Sequence, residues 1–159
     1  MSDLPVTSRS SGEPVAQRFV GIDVGLKGAV AWVNTDGSEY DVFDMPVLSV
    51  GTKKVYDLAT LHQMLSFFGT NLSCHVEKVS AMRGQGVTSM FRFGEGYGVA
   101  QMAVIGAGHR LSLVRPQTWK AVVLRDTAKT KGCGCMIASQ LFPRATLHGT
   151  RGGTKDGRC

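Results

Sequence analysis

At 159 residues, 43% hydrophobic and 19% charged, the chain suits one globular domain with a real core, and no apolar run reaches the roughly 18 residues of a membrane span. The net charge of +6 is lopsided: residues 1–109 hold 8 Lys/Arg against 10 Asp/Glu, whereas residues 110–159 hold 10 against 2. Such a basic half fits a polyanionic partner, because each neutralised phosphate releases counterions, although a solvated basic surface is the plainer alternative.

Residues 1–17 lack the apolar core of a signal peptide and the arginine content of a transit peptide, so they read as a disordered arm. Residues 18–24 (RFVGIDV) and 28–33 (GAVAWV) read as two strands around a tight glycine turn. A third strand, 38–43, follows the Asp36–Gly37 turn signal and completes an antiparallel meander. A Pro/Gly/Lys stretch then reads as loop, and residues 57–68 as a helix with Asp57 as N-cap and Gly69 as its stop. Residues 73–78 form a fourth strand ending at Glu77.

Residues 87–106 read as a helix despite Gly94, Gly96, Gly98 and Gly106, each costing about 1 kcal/mol in a helix interior. Four of them imply that another helix or a ligand backbone comes close. A fifth strand, 110–115, leads to Pro116, which opens a helix over 116–124, and a last helix spans 129–142 before Pro143. The expected fold class is α/β, a five-stranded mixed sheet in which parallel strands follow the meander and helices cover the faces. Cys74, Cys133, Cys135 and Cys159 lack the usual zinc spacing and read as reduced thiols, which fits a cytoplasmic protein.

An acid at the end of an apolar strand costs desolvation energy unless something meets it. Asp23 ends the first strand and Glu77 the fourth, so neighbouring strands would deliver both carboxylates to one edge of the sheet. Asp156, in the glycine-rich C-terminal stretch, could join them. Lys78 points to the opposite face of the strand and cannot serve as partner to Glu77. Converging carboxylates repel unless cations lie between them, and oxygen-only ligation favours Mg²⁺ or Mn²⁺. Taken singly, Asp23 also reads as an ordinary turn residue and Asp156 as unremarkable.

GIDVGLKGAVAWV resembles the first strand pair of RuvC-type Holliday junction resolvases, which have an RNase H-like fold. VEKVSAMRGQGVTSMFRFGEGYG followed by RLSLVRPQTWK is similar to the phage, bacterial and plastid RuvC-like branch, and KDGR resembles the start of that family's last motif. The likeness runs from about residue 18 to 159. It implies a homodimeric, metal-dependent endonuclease that resolves four-way DNA junctions by symmetric nicking of opposing strands. By motif position, Asp23, Glu77 and Asp156 match the catalytic carboxylates that bind two Mg²⁺ or Mn²⁺ ions. One ion would activate the attacking water, and the other would stabilise the departing 3′ oxygen to leave a 5′ phosphate.

The family's last motif carries a fourth carboxylate four residues after the third, one position past Cys159. The resemblance therefore implies an RNase H-like nuclease domain over 18–159 whose last helix is missing, and it leaves activity without that carboxylate open. KGCGCMIASQLFP also departs from the family pattern, and its Cys-Gly-Cys start is a poor helix former.

The 81–86 loop is placed to hold strands apart at a crossover, with Met82 as an apolar wedge and Arg83 and Gln85 as hydrogen-bonding groups. Lys27, Arg92, Lys120, Arg151 and Lys155 are candidate phosphate partners, with solvated surface residues as the alternative. Trp119 reads as core rather than as a base-stacking residue, and His75 as packing beside the site rather than as a ligand. Three other readings remain: a junction-binding protein without catalysis, a ribonuclease acting on RNA–DNA hybrids, and an actin-like ATPase fragment suggested by GIDVGLKG. The last needs a second domain for which 159 residues leave no room.

Overall fold

The computed structural model describes residues 17–80, 84, 86–125, 127 and 132–147. Among these residues, seven strands and four helices follow in the order β1 (Arg18–Ile22), β2 (Ala29–Asn34), β3 (Tyr40–Asp44), β4 (Val47–Val50), β5 (Lys53–Tyr56), α1 (Leu58–Phe67), β6 (Ser73–Glu77), α2 (Val87–Gly106), β7 (Arg110–Val114), α3 (Pro116–Val123) and α4 (Cys133–Leu141). The main sheet has the order β3-β2-β1-β6-β7. The β1–β2 and β2–β3 pairs are antiparallel, whereas β1–β6 and β6–β7 are parallel. This is the expected mixed sheet of the RNase H-like fold.

Alternation along the strands decides which side holds the core. Val20 and Ile22 of β1, Val30 of β2, and Cys74 and Val76 of β6 are buried. They meet Leu61 and Leu65 of α1 and Ala100 and Val104 of α2 in one apolar cluster. Helix α1 starts where expected: the Asp57 carboxylate accepts from the Thr60 backbone N–H at 3.0 Å and from its hydroxyl at 2.7 Å. Gly69 follows directly on the C-cap, Phe68. His109 is fixed at the bottom of this layer, where Nδ1 accepts from the Leu72 N–H and Nε2 lies 2.9 Å from the Leu65 carbonyl.

The opposite face is thinly covered. Helix α3 contributes no buried residue and α4 only Cys135. Between α4 and the sheet lies an apolar cavity of about 410 Å³, bordered by Phe19, Trp32, Val42, Trp119, Ile137 and Phe142.

Several expectations need correction. The segment read as a loop before α1 holds a two-stranded ribbon, β4–β5, turning at Gly51–Thr52. Only Tyr56 of its second strand is buried, so it lacks a clean alternation. Helix α4 begins at Cys133, and residues 129–131 lie outside the described residues. The close approach inferred from the α2 glycines holds at Gly96, where an added Cβ would collide with the Tyr56 ring and hydroxyl; Gly94 and Gly98 have nothing near. Cys74 and Cys133 are free thiols, but Cys135 is disulfide-bonded. Among the described residues, no helix is long and apolar enough to cross a membrane.

Candidate metal centre and nucleic-acid cleft

The parallel register sets the centre of the site. Ile22 pairs with Val76, so the next residues along the two strands, Asp23 and Glu77, emerge side by side at the carboxyl ends of β1 and β6. The turn that carries Asp23 is tight: its N–H donates to the Ala29 carbonyl at 3.0 Å, and the Gly28 N–H donates to the Gly25 carbonyl at 2.9 Å. Gly28 has to be a glycine, because a Cβ there would run into the Asp23 carbonyl.

Asp23 is exposed as a whole residue, but its carboxyl group sits among enough protein atoms to lose hydration. That burial first, and the Glu77 charge second, push its pKa above the usual carboxylate range. Tyr56 stands on the same side; burial raises its phenol, with smaller contributions from the charges of Glu95 and Asp23.

Glu77 has a partner that the sequence reading did not supply. The Trp119 indole N–H donates to Glu77 Oε1 at 3.0 Å. Trp119 reaches it because Val114 pairs with Glu77 and Pro116 opens α3 immediately after β7, which carries the first turn of that helix over the end of β6. Trp119 is half-buried, with its ring on the apolar cavity and its N–H on the carboxylate. The expectation of a core tryptophan thus captures the ring and misses the polar end. Lys120 lies with its ammonium 5.3 Å from the centre of the Trp119 ring, so it belongs to the same corner. His75 packs beside Phe19, with ring centres 6.3 Å apart, consistent with a packing role.

A cleft of about 680 Å³ opens between the β1–β2 turn and the first turns of α2. Asp23, Lys27, Gly28, Tyr56, Arg92 and Phe93 all border it, so three residues picked from sequence, Asp23, Lys27 and Arg92, share one opening. Lys27 and Arg92 are exposed, and neither forms an ion pair among the described residues. Lys120 is placed instead with Trp119, on the α3 side. The expectations for Asp156, Met82, Arg83, Gln85, Arg151 and Lys155 fall outside the described residues.

The donor set suits a hard divalent cation. Two carboxylates lie side by side, burial first and the Glu77 charge second oppose ionisation of Asp23, and no cationic side chain among the described residues pairs with either. Mg²⁺ is commonly held by one or two carboxylates together with water and substrate phosphate. No cluster of three or more His, Cys, Asp or Glu forms among the described residues, so they supply this pair and no zinc-like site.

No protein-family model matches the chain, and no curated protein matches it. Among solved structures it is similar to a Thermus thermophilus RuvC structure, with 14% identity and a TM-score of 0.47, over 80% of this chain and 81% of that one. It is also similar to T. thermophilus RuvC in complex with a Holliday junction substrate, with 14% identity and a TM-score of 0.49, over 80% of each chain. The RNase H-like fold of this chain rests on its own strand order and strand directions.

Proposed function

We propose that the chain is a divalent-metal-dependent endodeoxyribonuclease that nicks opposing strands of four-way DNA junctions, acting as a homodimer. The observation that carries this reading is the side-by-side emergence of Asp23 and Glu77 at the carboxyl ends of two parallel strands, beside a cleft that also presents Lys27 and Arg92. The motif resemblance around those residues supports junctions over other nucleic acids.

In this reading Asp23 and Glu77, joined by Asp156, would hold Mg²⁺ or Mn²⁺, two ions per site, and the cations would supply charge stabilisation at the scissile phosphate and a water of lowered pKa. The chain's own residues do the remaining work. Lys27 and Arg92 draw the DNA backbone into the cleft, and Lys120, Arg151 and Lys155 take further phosphates. Met82, Arg83 and Gln85 meet the crossover. The tight turn fixes the Asp23 backbone and the sheet fixes the Glu77 backbone, so both carboxylates start from one edge of the sheet.

The test is a paired measurement on Glu77→Gln. Junction cleavage in Mg²⁺ or Mn²⁺ should fall to background, while junction affinity without metal stays within about threefold and drops steeply with salt. Undiminished cleavage by the variant would remove Glu77 from the site. Preferential cutting of RNA–DNA hybrids would move the substrate assignment to a ribonuclease, and binding without cleavage by the unsubstituted chain would leave a junction-binding protein.

A further inference from the structure

We infer that Trp119 is a positioning residue for the cation-binding carboxylate: its indole N–H engages Oε1 of Glu77, leaving Oε2 and the Asp23 oxygens for the ion. The inference rests on the metal-dependent reading above and adds a residue that neither composition nor motif position assigns to the site.

Three observations carry it. The hydrogen bond is 3.0 Å long and part-buried, between side chains 42 residues apart, so it is a product of the fold and not of local sequence. Indole is a donor only, so this bond can form in one sense: the N–H gives and the carboxylate accepts. A lysine in the same place would bring a positive charge that competes with the cation, whereas the indole orients the carboxylate and keeps its charge for the metal. The fold places the ring: Pro116 opens α3 directly after β7, the Trp119 backbone N–H donates to the Arg115 carbonyl at 3.4 Å, and the side chain borders the apolar cavity.

With Oε1 accepting the indole N–H, Oε2 is the less engaged oxygen of Glu77 and the one most open to a cation. Groups that orient a metal ligand in this way typically alter metal affinity 10–100-fold when removed.

The decisive experiment measures Mn²⁺ binding directly, by the loss of the free-ion electron paramagnetic resonance signal, in the full chain and in Trp119→Phe. The phenyl ring keeps an aromatic body against the cavity and deletes only the donor. Mn²⁺ affinity should fall about tenfold while metal-free junction affinity is unchanged, and junction cleavage should return when Mn²⁺ is raised. Equal Mn²⁺ affinity in the two proteins overturns the positioning role alone; no Mn²⁺ binding by the unsubstituted chain overturns this role and the metal reading together. A second measurement does not depend on that variant folding. Trp32→Phe leaves Trp119 as the only tryptophan, and its emission should be quenched saturably by Mn²⁺. Glu77→Gln in that background should abolish the quenching, and persistence of the full effect would contradict the inference.

Discussion

The two faces of the main sheet are built to different standards. On one, Val20, Val30, Cys74 and Val76 are fully buried against Leu61, Leu65 and Val104. On the other, Phe19, Ala31, Val33 and His75 are only partly covered, α3 buries nothing, and a cavity of about 410 Å³ remains. The site's two described carboxylates lie at the edge shared by these layers, yet Glu77 takes its hydrogen bond from the loosely packed one. Stability and site geometry are therefore drawn from different layers, and substitutions should separate them.

The largest effect should come from the packed layer. Leu61→Ala removes a wholly buried side chain from the main cluster and should cost about 2–5 kcal/mol in denaturant unfolding. Leu141→Ala, on the mostly exposed rim of the cavity, should change stability by about 0.5 kcal/mol or less. Comparable losses at the two positions would end the distinction between the faces.

Overpacking should show the same contrast at a smaller scale. Ala100→Leu forces three carbons into filled space and should destabilise by about 1–3 kcal/mol. Ala138→Leu projects into the cavity and should be neutral or stabilising by about 1 kcal/mol. A cost at Ala138 matching that at Ala100 would show the cavity to be unavailable for packing.

The smallest stability effect should come from Asp23, and its sign follows from the raised pKa. The folded state holds the Asp23 proton more tightly than the unfolded chain, whose carboxylates titrate near about 3.9. This group's stabilising contribution is complete below that value and is lost as pH rises through the higher folded pKa. Asp23→Asn should therefore raise the metal-free melting temperature at neutral pH and lose that advantage in acid. Added Mg²⁺ should narrow the gap by stabilising the unsubstituted protein alone. A melting temperature lowered by Asp23→Asn at neutral pH would contradict the burial and Glu77 repulsion assigned to the carboxyl.

Much of this was legible in the residues because it depends on short-range patterns. The five strands of the main sheet declare themselves through apolar alternation, Asp57 and Pro116 through helix-start chemistry, and Asp23 and Glu77 as acids ending apolar strands. The ribbon β4–β5 escaped because Lys53 and Lys54 break the alternation and its single buried side chain, Tyr56, is anchored by a glycine in a distant helix. The role of Trp119 escaped for a related reason: its position three residues after Pro116 was visible, but only the β6–β7 register brings its N–H to Glu77. No protein group among the described residues approaches Gly94 or Gly98, so of the two kinds of close approach the glycines imply, a packed neighbour is absent there.

The account turns on whether Asp23 and Glu77 form a cation-dependent site that acts on branched DNA. The most direct measurement places a labelled four-way junction and a linear duplex of the same sequence side by side, with Mg²⁺ or Mn²⁺, and compares the unsubstituted chain with Asp23→Asn. The account predicts paired symmetric nicks in the junction only, absent without metal and absent with Asp23→Asn. Cleavage of both substrates alike, or cutting by Asp23→Asn at the unsubstituted rate, would contradict it.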